Sequence, residues 1–104
     1  MYNILAIDDN ETNLFLIKKI LYHYLSDCNI LTALSGKEGI KIAKEKLPDT
    51  ILLDICMPEM DGFEVCKILL FSSFGSPKLI FYIKSIKNFF LFKIFSHNNF
   101  NILF

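Results

Sequence analysis

The chain has 104 residues, 53% of them hydrophobic, with a formal net charge of zero. That is one small domain, with apolar content sufficient for a core, and it is short for a doubly wound domain of five strands and five helices, which takes roughly 115 to 125 residues. The zero charge hides a split. Residues 1–64 hold all 11 acids and six lysines, a net −5, whereas residues 65–104 hold five lysines and no acid. Three cysteines, Cys28, Cys56 and Cys66, form no CxxC pair, so a zinc site or a disulfide framework is not expected, and a reducing cytoplasm is the simpler expectation. No basic segment followed by an apolar run opens the chain, so no secretory leader is expected.

Residues 3–7 (Asn-Ile-Leu-Ala-Ile) form a short apolar run, which predicts a buried strand ending at Asp8 and Asp9. Asn10 is a helix cap and Glu11 suits the positive end of the helix that follows. Leu14, Ile17, Leu21 and Tyr24 recur at helical spacing, predicting an amphipathic helix over 11–25. Residues 29–33 read as a second strand. Ser35 and Glu38 are spaced as a capping box, and Ile40, Ala43 and Leu47 give the next helix its apolar face, ended by Pro48 and Asp49. Residues 50–54 (Thr-Ile-Leu-Leu-Asp) predict a third strand that ends in a carboxylate. After a loop over 55–60, Asp61 and Glu64 bracket the start of a third helix with Val65, Ile68 and Leu69 inward. Continuous apolar strands alternating with helices predict an α/β fold with a parallel sheet buried on both faces.

Two of the three strands end in acids. Sites in open α/β sheets form outside the strands' carboxyl ends, so Asp8, Asp9 and Asp54 are expected to meet although 45 positions separate Asp9 from Asp54. Three carboxylates repel, at about 4 kcal/mol per close pair for an effective dielectric near 20. Either one keeps a proton or a cation binds. A hard divalent ion fits, magnesium best, because it accepts one or two carboxylates and keeps waters for a phosphate. Asp54 is then placed to act as a nucleophile on phosphorus.

These residues carry a resemblance. Asp8-Asp9-Asn10 after the first strand, Leu53-Asp54 closing the third, and Met57-Pro58-Glu59-Met60-Asp61-Gly62 beyond it resemble response-regulator receiver domains of two-component signalling, over about residues 2–69; Ala33, Gly36 and Gly39 are similarly placed. The resemblance implies a flavodoxin-like doubly wound parallel sheet, strand order 2-1-3-4-5, with the last strands incomplete or atypical here. It implies Asp54 as phosphoacceptor, Asp9 as direct magnesium ligand, Asp8 as the supporting acid and the Cys56 backbone carbonyl as a further ligand. It also implies a histidine kinase or histidine phosphotransfer protein as donor and a non-enzymatic signalling role. Nothing after residue 70 resembles a helix-turn-helix with a basic reading face, so no nucleic-acid module is expected, and lysines interrupt the apolar stretch over 79–95, so no membrane span is expected. Asp61 and Glu64 read as a helix start, and His23 as a surface residue.

The last third departs from that pattern. Receivers continue with a strand ending in Thr or Ser and another ending in Lys-Pro. Residues 77–83 fit a fourth strand, but beyond them only Ser85 offers a hydroxyl, out of register. No Lys-Pro occurs, and Lys84, Lys87 and Lys93 have no evident strand-end context. Residues 70–104 hold nine of the 11 Phe. The division read from the sequence is a receiver core of three βα units over 1–70 and an atypical tail over 71–104. The second functional reading is a truncated or frameshifted remnant without signalling output. A membrane-surface helix in the tail and a metal-dependent phosphatase are weaker still: the lysines follow no clean face, and Cys56 stands where a phosphatase would need a general-acid Asp.

Overall fold

A computed structural model describes residues 1–54, 57, 62–71, 78–84, 90–96 and 99–103. The elements run β1 (Tyr2–Ile7), α1 (Glu11–Tyr24), β2 (Cys28–Ala33), α2 (Gly36–Lys46), β3 (Thr50–Asp54), α3 (Gly62–Phe71), β4 (Lys78–Lys84), β5 (Phe90–Ser96) and β6 (Asn99–Leu103). They build one six-stranded sheet in the order β2-β1-β3-β4-β5-β6. β1 runs parallel to β2 and β3, and β3 runs parallel to β4. The fold is the flavodoxin-like one expected from the sequence.

Strand alternation sorts the side chains. Leu5, Ile7, Ala33, Ile51 and Leu53 pack with Ile40 and Ala43 of α2 and with Val65, Cys66 and Leu69 of α3 in a single core cluster. The other face of β1 and β2 carries α1, of which Leu14 is buried. Ile17 and Leu21 are half-buried, and Tyr24, expected to turn inward, is exposed at the end of α1. Ile68 is also exposed.

Local signals set the helix ends. Ser35 Oγ accepts from Glu38 N–H at 3.1 Å, while Glu38 Oε2 accepts from Leu34 N–H at 3.1 Å, one residue earlier than in the standard capping box. α2 ends at Leu47, a non-glycine residue at φ 46°, whose N–H donates to Ala43 O at 3.0 Å. Gly39 lies where α2 crosses β1: a Cβ there would stand 2.3 Å from Ile7 Cδ1 and 2.7 Å from Ile7 Cγ1. Asn3 and Asp49 exchange two hydrogen bonds, Asp49 N–H to Asn3 O and Asn3 N–H to Asp49 Oδ2, each 2.8 Å, and so fix the register of β3 on β1.

The last third supplies β3 with the outer neighbour it needs. β4 pairs with it from Thr50↔Lys78 to Asp54↔Tyr82. From there the wound pattern stops. β5 returns antiparallel to β4, and β6 antiparallel to β5. A parallel neighbour needs a crossover of about a dozen residues or more, and only positions 85–89 separate β4 from β5. Neighbour order 2-1-3-4-5 is kept, but the fifth strand is reversed and a sixth is added. Lys84 also corrects the sequence reading, because it is the last residue of β4.

Candidate metal and phosphoryl site

The parallel register of β1 and β3 brings the acids together. Ile7 pairs with Leu53, so the next residue on each strand, Asp8 and Asp54, emerges at the same sheet edge. Asp8 N–H donates to Ala33 O at 3.1 Å, holding the end of β1 against β2. One carboxylate oxygen from each of Asp8, Asp9 and Asp54 lies within 4.8 Å of the other two. Asp8 and Asp54 are fully buried, whereas Asp9 is exposed. Cys56, whose carbonyl the resemblance makes a ligand, lies outside the described residues, as do Glu59 and Asp61.

The turn between β1 and α1 organises Asp8. Asn10 N–H donates to Asp8 Oδ1 at 2.8 Å, and Asn13 Nδ2 donates to Asp8 Oδ2 at 3.3 Å. Asn10 Oδ1 in turn caps α1 by accepting from Asn13 N–H at 3.0 Å. Both oxygens of the buried carboxylate therefore meet donors. The sequence marked Asn10 as a cap but did not mark Asn13 as a partner of Asp8. The signal was the spacing: five positions from strand end to the first turn of a capped helix.

The donor set is chemically uniform. Three carboxylates supply hard oxygen ligands, and the closest pair repels by about 3 to 4 kcal/mol at an effective dielectric near 20. A divalent cation taken by one or two carboxylates, with water filling its other positions, suits this group better than a thiolate- or imidazole-seeking metal. The residues present fit magnesium. Elsewhere, burial pushes the Cys66 thiol up to about 11. Among the described residues no helix is long and apolar enough to cross a membrane.

Comparison with known proteins agrees with this geometry. The family model described as the response regulator receiver domain matches residues 4–101. The chain is 41% identical over 66 residues to the alkaline phosphatase synthesis transcriptional regulatory protein PhoP of Bacillus subtilis, covering 64% of this chain and 27% of that protein. It is 43% identical over 63 residues to histidine kinase P4 of Formosa agariphila, covering 61% of this chain and 4% of that protein. The chain thus matches about a quarter or less of the length of these relatives. Among solved structures, the N-terminal domain of a response regulator receiver protein from Methanoculleus marisnigri superimposes with a TM-score of 0.66 at 30% identity, over 71% of this chain and 58% of that one. The chain belongs to the response regulator receiver domain family.

Proposed function

We propose that the chain is the phosphoacceptor of a two-component phosphorelay, taking a phosphoryl group from a histidine kinase or histidine phosphotransfer protein onto Asp54. The observation that carries this is the meeting of Asp8, Asp9 and Asp54 within 4.8 Å at the carboxyl edge of a parallel sheet, with two of the three fully buried. An Asp54 oxygen attacks phosphorus, the phosphorus–nitrogen bond to the donor imidazole breaks, and an acyl phosphate forms on Asp54. Asp9, with Asp8 in support and Asp54 adjacent, would hold a magnesium ion, which when bound would neutralise charge on the transferring group. Asp8 is oriented by its two donors, and Asp54, the last residue of β3, stands at the sheet edge beside it. The chain is then the kinase's substrate rather than an enzyme acting on a separate one. A cytoplasmic setting is part of the proposal, because the donor reaction draws on phosphohistidine produced from intracellular nucleotide.

The test is incubation with a small acyl phosphate and magnesium, read by intact mass. The expected result is addition of one phosphoryl group that is lost in Asp54→Asn and on chelation of the metal. An unmodified wild-type chain under those conditions would overturn the proposal. It would instead favour a remnant without signalling output, a reading that draws on the reversed strand β5 and the missing Lys-Pro.

A further inference from the structure

Asp8, Asn10 and Asn13 form a closed ring of three hydrogen bonds: Asn10 N–H to Asp8 Oδ1, Asn13 N–H to Asn10 Oδ1, and Asn13 Nδ2 to Asp8 Oδ2. Two of these bonds serve backbone needs, namely the carboxylate-bound amide of Asn10 and the cap of α1. The third does not. The Asn13 side chain satisfies no helix-terminal donor, and its amide sits on the second oxygen of Asp8, a fully buried acid just past the end of β1. Asn10 holds one oxygen of the Asp8 carboxylate and Asn13 holds the other, so the two bonds together orient its plane.

From this geometry we infer that Asn13 is a positioning residue for the metal: its amide locks the Asp8 carboxylate in the orientation that supports the ion beside Asp9 and Asp54. The inference rests on the proposed magnesium site. It adds a device that ties cation affinity to the first turn of α1, the helix whose N-terminus frames the acids. Outer partners of ligating carboxylates usually change metal affinity by about 10- to 100-fold when removed. Asn13 reaches one oxygen of one acid at 3.3 Å, so the lower end of that range applies.

The experiment measures magnesium affinity of the full chain by calorimetry, and the magnesium dependence of Asp54 modification by a small acyl phosphate. It uses wild type, Asn13→Ala and Thr12→Ala. Thr12 is the exposed neighbour in the same helical turn. In Asn13→Ala we expect magnesium binding weaker by about tenfold, a modification rate that recovers at saturating magnesium, and a thermal midpoint matching that of Thr12→Ala. A rate that stays low at saturating magnesium alongside a lowered midpoint would mean that Asn13 only supports the fold, and would overturn the inference. Unchanged affinity would overturn it as well. Failure of the wild type to bind magnesium at all is a different result, because it removes the site itself.

Discussion

Residues 2–71 and residues 78–103 contribute to one sheet in different ways. In the first region each strand is followed by a helix that returns over the sheet, and β1, β2 and β3 all end at the same edge. That arrangement concentrates carboxyl ends, and with them Asp8, Asp9 and Asp54, in one place. In the second region only β4 continues the parallel set, and β5 and β6 fold back as a meander. A meander alternates strand direction, so it does not gather carboxyl ends and does not build a second site of this kind. What the second region does is pair the outer edge of β3 through β4, an edge that otherwise presents unpaired backbone groups. The proposed chemistry thus belongs to the first region and edge protection to the second.

The largest effect that sharpens this division is Asp54→Asn. It replaces the proposed nucleophile with a near-isosteric amide in the first region, and complete loss of phosphoryl incorporation is expected by intact mass. Retained incorporation would place the acceptor elsewhere. Gly39→Ala tests packing in the same region. The new Cβ meets Ile7 Cδ1 at 2.3 Å and Cγ1 at 2.7 Å, and Ile7 is β-branched and fully buried, so it has little room to turn away. A loss of about 1 to 3 kcal/mol in urea unfolding is expected. A neutral result would show that α2 lifts off the sheet at little cost.

These two positions also show how much of the molecule could be read in advance. The three βα units, the caps at Asn10 and Ser35, and the convergence of Asp8, Asp9 and Asp54 follow from local patterns: apolar runs, helical spacing, and acids at strand ends. Those patterns are strong because the strands of the first region feed one core cluster with α2 and α3. The reversal at β5 was not legible, since apolar residues recur through 78–103 with neither clean alternation nor helical spacing. The direction of β5 follows from the shortness of the 85–89 connection, which has meaning only once β4 is known to be a strand. Lys84 was misread for the same reason: its place at the end of β4 depends on where that strand stops.

A smaller effect concerns Cys66, which packs in the core of the first region with its thiol pushed up to about 11 by burial. The folded chain holds that proton more tightly than the unfolded one, whose ordinary value is 9.0. The linked stability is therefore complete below pH 9 and is lost progressively as pH rises toward 11. Removing the thiol, as in Cys66→Ala, should flatten the stability profile over that window at the cost of a small cavity. At pH 8, alkylation mapped by peptide mass should label half-buried Cys28 well before Cys66. Equal labelling would mean that α3 opens readily from the sheet.

The smallest expected effect is the one most able to break the division. Lys84 ends β4 two positions past Tyr82, the register partner of Asp54, and so closes a strand of the second region at the edge where the acids lie. If chemistry is confined to the first region, Lys84→Met changes the rate of Asp54 modification by less than about twofold and leaves magnesium affinity intact, since the charge on the transferring phosphoryl would then be met by the cation. If the rate falls tenfold or more at unchanged thermal midpoint, and Lys84→Arg restores it, the cationic end of β4 acts on the phosphoryl group. The second region would then carry part of the reaction, and the reversed β5 would count as a changed route to a working site rather than as edge cover alone.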